Sequence, residues 1–303
     1  MEKNKETGKD TKSQEKKEGL KDLSGADRMA YKIARFFYRF LTNFGAKINK
    51  AAQELNFLLY KIKFGERDDD IYIITYPKSG TTLLQMIIYQ MTTDGNINFE
   101  HIYDVSPWIR NDAYKNVPPR DLPSPRIIKS HDSYKDFDHL AKGRFIYVYR
   151  DGKDVAVSKY HQDKNYNNPD LEFDEFMKKF CQPSKYGWFR FTKDWLENKK
   201  KLPILYLSYE ELLNDYDNAV QKIINHLKLD PQSINLNRVK ERTRFDYMKQ
   251  FPDKFGDQPP KKMKVYDQFL RKGIIGDNRN YFTKENDDEY NKLINKYLKK
   301  FIK

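Results

Sequence analysis

The 303-residue chain has a single cysteine, Cys181. One cysteine excludes an intramolecular disulfide and a cysteine-based metal site, and it fits a reducing compartment. Cys181 sits between Phe180 and Gln182 with no basic motif of its own, so it reads as a buried structural thiol rather than a nucleophile. Long hydrophobic runs are also missing. No stretch approaches the roughly 18 uncharged apolar residues that a membrane span needs. Met1–Asp22 mixes Lys with Glu and Asp and has Leu20 as its sole apolar residue after Met1, which is not a signal-peptide pattern. The expected location is therefore cytoplasmic. The same segment cannot bury enough apolar area to offset its ordering entropy, so residues 1–22 read as a disordered tail.

Positive charge is in excess. Lys and Arg number 57 against 44 Asp and Glu, a formal net charge of +13, which favours anionic partners: nucleotides, nucleic acid or acidic lipid surfaces. Charge alone does not select among them. Aromatic residues are 15% of the chain, so the core is expected to use Tyr and Phe as much as aliphatic residues.

Ser24-Gly25-Ala26-Asp27 resembles a capping box opening a helix. Met29, Ile33, Phe36, Phe37, Phe40, Leu41 and Phe44 follow at helical spacing, and Ile48, Ala51, Ala52, Leu55, Leu58, Leu59 and Ile62 continue the pattern beyond Gly45. Residues 23–65 are expected to be amphipathic helices packed on the domain of residues 23–303. A second reading is a basic amphipathic surface over residues 26–63 that makes a weak membrane contact.

From Asp70 the pattern changes. Ile71–Thr75 is a short apolar run typical of a buried strand, and Leu83–Met91 reads as a buried helix. Arg126–His131, Arg144–Arg150 and Pro203–Tyr209 read as further strands, with helical patterns between them. Alternating strands and helices predict one α/β domain with a central, mainly parallel sheet flanked by helices. Asp253–Lys264 reads as a mobile loop and Asn286–Ile302 as a closing helix.

Between the first strand and its helix lies Tyr76-Pro77-Lys78-Ser79-Gly80-Thr81-Thr82. Gly80 lets the backbone approach an anion, and the helix beginning near Thr81 directs unpaired N–H groups and a positive dipole end at it. Ser79, Thr81 and Thr82 add hydroxyls, and Lys78 adds a full charge. The loop is not a Walker A loop, because Lys precedes the only glycine. A Mg-dependent ATPase or kinase is disfavoured.

This loop closely resembles the 5′-phosphosulfate loop of the cytosolic sulfotransferase family, Tyr-Pro-Lys-Ser-Gly-Thr-Thr-Trp, departing only at Leu83. Arg150-Asp151-Gly152-Lys153-Asp154-Val155-Ala156-Val157-Ser158 resembles that family's 3′-phosphate element, and Arg271-Lys272-Gly273-Ile274-Ile275-Gly276-Asp277 its C-terminal one, with Asn278 where the family has Trp. The three stand in the family's order and span most of the chain, and they imply its P-loop-like fold. The resemblance also implies a donor, 3′-phosphoadenosine 5′-phosphosulfate, a product, adenosine 3′,5′-bisphosphate, and no metal. The implied cofactor-binding residues are Lys78, Ser79, Gly80, Thr81, Thr82, Leu83, Arg150, Ser158, Tyr209, Thr243, Phe245, Arg271, Lys272 and Gly273. The implied catalytic residues are His131 as base, Lys78 at the departing oxygen, Lys129 and Ser158. Trp108, Lys129, His131 and Gln162 would wall a pocket for a small, largely apolar alcohol, phenol, sterol or amine. Arg279, Thr283 and Asp288 only roughly match the family's dimer segment, with Lys284 in place of its Val, so monomer and dimer stay open. Two other readings remain: an atypical nucleotide-dependent kinase, and a basic membrane- or nucleic-acid-binding protein without catalysis. The sulfotransferase reading needs no nucleic-acid partner.

Overall fold

The computed structural model of the chain describes residues 25–137, 142–182, 184, 187–198, 202–256 and 269–301. The 1–22 tail, His139 and residues 257–264 of the Asp253–Lys264 loop lie outside them; Pro252–Phe255 forms a single helical turn. The described chain divides into two compact units at Leu58–Leu59. The expected domain of residues 23–303 thus divides inside its N-terminal helix.

That helix, α1, runs unbroken over Gly25–Phe64, so Gly45 does not interrupt it. Its apolar residues Met29, Ile33, Phe36, Phe37, Phe40, Phe44, Ile48, Leu55, Leu58, Leu59 and Ile62 are exposed, and Phe57, Tyr60 and Phe64 are buried. Successive residues turn by about 100°, which puts those three on a different side of α1 from the exposed stripe. Among the described residues no helix is long and apolar enough to cross a membrane.

The second unit is built on a four-stranded sheet in the order β2-β1-β3-β4. The strands are β1 (Ile71–Thr75), β2 (Ile127–Ser130), β3 (Arg144–Tyr149) and β4 (Ile204–Ser208). All three pairings are parallel; Ile73 lies opposite Lys129 on one side and Ile146 on the other. β1 is buried along its whole length, which is why it reads as a continuous apolar run rather than an alternating one. Helices α2 (Thr81–Thr92), α3 (Gly152–Tyr166), α4 (Tyr209–Asn214) and α5 (Tyr216–Leu227) follow strands β1, β3 and β4, with α4 and α5 in succession after β4. From α2, Leu84, Met86, Ile87 and Ile88 are fully buried, and they join Ile223 and Ile224 of α5 in the main core cluster. Two smaller clusters are rich in aromatics, among them Tyr160, Phe176, Trp188, Phe189 and Tyr290. A final helix, α6 (Lys284–Tyr297), is capped by Thr283, one of the residues of the degraded dimer segment.

The strand order reverses at β1. The chain goes from β1 to β2 on one side and returns to β3 on the other, which makes the C-terminal ends of β1 and β3 a topological switch point where ligands bind in such sheets.

The N-terminal edge of the sheet is held by a buried ion pair. Arg126 donates from Nε and Nη2 to the two carboxylate oxygens of Asp70, each at 2.7 Å, and from Nη1 to the Phe64 carbonyl at 2.8 Å. Its guanidinium also lies over the Phe64 ring, 3.9 Å from the centroid. Removing one member strands the other charge in the interior. Arg126→Met should therefore destabilise the protein by about 3–5 kcal/mol, read as a shifted urea midpoint, and adding Asp70→Asn to the same chain should restore part of it.

Candidate active site

Each strand delivers one piece of a single cavity of about 350 Å³ at the C-terminal edge of the sheet. β1 leads into Tyr76–Gly80, β2 into His131, β3 into Arg150, and β4 into Tyr209. Of the residues expected to bind donor or acceptor, Lys78, Gly80, Thr81, Thr82, Leu83, Trp108, Lys129, His131, Arg150, Ser158, Gln162, Tyr209, Thr243, Phe245, Arg271, Lys272 and Gly273 all line it. Ser79 does not; it is fully buried behind the loop.

The loop after β1 is shaped by two left-handed residues, Lys78 (φ 71°) and Gly80 (φ 93°). Positive φ is uncommon for a residue with a side chain, and the carbonyl of Lys78 is held by Arg150 Nη1 at 3.1 Å. Gly80 is the N-cap of α2, and no side chain caps that helix end. A Cβ on Gly80 would lie 2.6 Å from the Tyr209 ring. The first N–H groups of α2 therefore face the cavity with the positive end of the helix dipole. Thr81 Oγ1 is hydrogen bonded to Thr75 Oγ1 at 2.6 Å.

Thr75 also fixes the histidine. His131 Nδ1 donates to the Thr75 carbonyl at 2.8 Å. That bond assigns the proton to Nδ1 and leaves Nε2 as a lone-pair acceptor. Burial and, after it, the Lys129 charge push the His131 pKa down to about 3, against the opposing effect of the bond to Thr75. The imidazole is thus neutral at ordinary pH. Trp108 meets it edge to face, with centroids 5.1 Å apart. The buried Lys129 ammonium donates to Tyr103 Oη and lies 4.4 Å from the Tyr103 ring centroid and 4.6 Å from that of Trp108. Trp108 is held in place indirectly: Gln85 of α2 donates to the Ser106 carbonyl at 3.0 Å, and Lys129 N donates to the Pro107 carbonyl at 2.9 Å.

On the other strand, Arg150 spans three segments. Besides the Lys78 carbonyl it reaches the Ile274 carbonyl at 3.0 Å and Asp154 at 3.7 Å, and its guanidinium lies 4.4 Å from the Tyr209 ring centroid. Ser158 lies two turns into α3, and with Lys159 and Gln162 it forms the helix face that lines the cavity. Asp154 is fully buried and accepts hydrogen bonds from Gly276 N (2.7 Å), Asn278 N (3.0 Å) and Asn278 Nδ2 (2.7 Å). The Arg271–Asn278 turn is anchored to α3 by this carboxylate. Asn278, a departure from the family sequence, supplies two of the three bonds. Gly273 (φ 65°) is needed at that turn, since a Cβ there would lie 2.4 Å from the Phe245 ring.

Arg271 and Lys272 line the cavity, yet their charged ends are held by Asp277; Lys272 Nζ donates at 2.7 Å. Burial raises the Asp277 pKa, but the bonds from Lys272 and Arg271 outweigh it and hold the carboxyl at about 2. Tyr209 is placed by a capping box, in which the Ser208 hydroxyl accepts from Glu211 N. Thr243 is buried, with its hydroxyl bonded to Tyr216 Oη at 2.6 Å and to the Val239 carbonyl at 2.8 Å.

Several contributors were not singled out from sequence. Phe269 lies against Lys78, with Nζ 3.9 Å from the ring centroid. Tyr103, Asp154 and Thr75 act through the neighbours they hold. His161 lines a narrow adjoining recess with Lys78 and Ser158. Cys181 is buried and free, its thiol pushed up to about 12 by burial. Among the described residues no group of three or more His, Cys, Asp or Glu is placed to hold a metal.

Ser79 Oγ and Arg150 Nε are buried and, like Nε1 of the cavity-lining Trp108, have no hydrogen-bond partner among the described residues. Buried polar atoms are normally satisfied. The uncapped end of α2, the glycine-lined approach at Gly80 and the Arg150 guanidinium fit an anionic phosphate group.

The buried, neutral His131 makes stability depend on acidity. Unfolded, it takes a proton near pH 6.5; folded, it resists until about pH 3. Below about 6.5 the unfolded chain binds more protons, so stability falls as pH drops. His131→Asn should flatten the decline in Tm between about pH 7 and about pH 5 relative to the parent. His161 and His226, shifted in the same direction, are common to both proteins and cancel in the comparison.

Residues 68–302 match the sulfotransferase domain family. The chain is 35% identical over 258 residues to Sulfotransferase 1B1 of Mus musculus, covering 78% of this chain and 85% of that protein. It is 34% identical over 249 residues to Sulfotransferase 1E1 of Mus musculus, covering 76% and 84%. Among solved structures it resembles retinol dehydratase in complex with androsterone and the inactive cofactor PAP, with a TM-score of 0.64, 20% identity, and coverage of 79% of this chain and 83% of that one.

Proposed function

The chain belongs to the sulfotransferase family, and we propose that it carries a sulfuryl group from 3′-phosphoadenosine 5′-phosphosulfate to a hydroxyl or amine of a small, largely apolar acceptor. The observation that carries this reading is the meeting of an uncapped helix N-terminus, a left-handed Lys78 and a neutral His131 in one cavity. The retinol dehydratase structure, which holds PAP and androsterone, supports both the donor and an acceptor of sterol type.

The donor supplies the transferable sulfuryl group and a phosphate as leaving group. Lys78, the N–H groups of Thr81 and Thr82, and the dipole of α2 would hold its 5′ end. Arg150, Ser158 and Gly273 would hold a phosphate at the 3′ position, and Tyr209, Thr243, Phe245 and Leu83 would wall the adenosine. His131 Nε2 accepts the proton of the acceptor group. Lys129, fixed between Tyr103 and Trp108, adds positive charge beside that proton transfer, and Trp108 and Gln162 form the acceptor wall. Positioning and charge neutralisation are the enzyme's contribution. The buried Cys181 accords with a reducing compartment such as the cytoplasm.

His131→Ala should keep its stabilisation by adenosine 3′,5′-bisphosphate in a thermal-shift assay while turnover with labelled donor falls by about 10²–10⁴-fold. Undiminished turnover would remove His131 as the base. Lys78→Ala should lower the rate of transfer by at least about 10²-fold in single-turnover measurements.

Asp154 is a positioning residue in this scheme. Asp154→Ala releases the Arg271–Asn278 turn, so the dissociation constant for adenosine 3′,5′-bisphosphate should rise by about tenfold or more. The acceptor KM should stay close to the parent value, a separation that general destabilisation does not produce.

A further inference from the structure

The exposed stripe of α1 takes no part in the cavity. We propose that it docks the protein on an anionic lipid surface, with the helix lying in the plane of the interface.

The geometry of the stripe comes first. At 100° per residue, the exposed residues from Met29 to Ile62 fall within an arc roughly 140° wide, running along about 50 Å of helix. Bulky aromatics dominate its first half: Phe36, Phe37, Phe40 and Phe44 are each more than half exposed, and the rings of Phe40 and Phe44 stack 6.2 Å apart. An exposed apolar strip of this length is far beyond the scattered single residues normal for a soluble surface.

Charge then selects the partner. The helix Gly25–Phe64 carries eight Lys and Arg against two acidic residues, Asp27 and Glu54. Lys32, Lys47 and Lys63 are exposed. An aromatic apolar face beside a basic one, without the length of uninterrupted apolar sequence needed to span, is the pattern of a helix that rests at a headgroup boundary. Anionic headgroups attract the Lys and Arg, while the Phe side chains enter the acyl region.

A second copy of the helix fits less well. A coiled-coil seam is narrow and favours Leu, Ile and Val at alternating spacings of three and four. Here the arc is wide and filled with Phe, and two such helices would bring together sixteen basic residues and four acidic ones, twice the count of one helix. Like charges at that density oppose pairing.

The test uses the full chain and sucrose-loaded vesicles. The protein should sediment with vesicles of phosphatidylcholine and phosphatidylserine, weakly with phosphatidylcholine alone, and less as salt is raised. Phe36→Ser/Phe40→Ser/Phe44→Ser should lower the partition coefficient on the order of tenfold or more. Lys32→Glu/Lys47→Glu should abolish the preference for phosphatidylserine. Both variants should keep the parent's stabilisation by adenosine 3′,5′-bisphosphate, which shows that they are folded. Failure of the parent to bind anionic vesicles would overturn the proposal, as would binding untouched by the Phe substitutions. A dimer in light scattering that the Phe substitutions split would also overturn it, assigning the stripe to a second copy instead.

Discussion

Arg150 and Asp154 form the tie on which the site depends. One guanidinium holds the Lys78 carbonyl of the loop after β1 and the Ile274 carbonyl of the C-terminal turn, and the carboxylate beside it holds Gly276 and Asn278. Segments more than 120 residues apart in the chain are thereby fixed to one strand end and one helix. Neither group could be placed at such a point alone. A buried Asp154 without Arg150 would be an uncompensated charge, and an Arg150 without carbonyl partners would give up its hydration for nothing. The arrangement is pre-formed, so the nucleotide need not order these loops when it binds.

A parallel sheet makes this economical. All four strands run the same way, so four different segments emerge at one edge, each at a fixed spacing from its neighbour. The reversal of order at β1 opens a crevice there. The phosphate loop, the histidine, the arginine and the tyrosine are each the first residues after a strand, where backbone position is set by the sheet and side-chain choice is free to serve chemistry.

Much of this was legible in the sequence. β1 reads to its ends from its apolar run, and the resemblance to the family's 3′-phosphate element is what pairs Arg150 with Ser158 in the sequence. What was not legible has a physical cause in each case. Asp154 was seen as part of a motif, but nothing local shows that its carboxylate faces a turn 122 positions later. Thr75 looks like the last residue of a strand; its carbonyl orients His131 only because β1 and β2 lie in register. For α1, periodicity gives the helix but not the exposure of its apolar face. An amphipathic pattern reports that an apolar face exists, not what covers it, and Gly45 costs a long helix too little to break it.

Asp277 alters what the basic turn presents at a distance. The sequence offers Arg271 and Lys272 as two positive charges, but a buried carboxylate 3% exposed already holds both. Seen from solvent, the turn is closer to a single diffuse charge than to two. An approaching nucleotide is therefore drawn by about one net positive charge at this turn rather than two. It meets the full strength of the pair only on contact, when its own phosphate can share them with Asp277. The turn thus attracts with one net charge and retains with two.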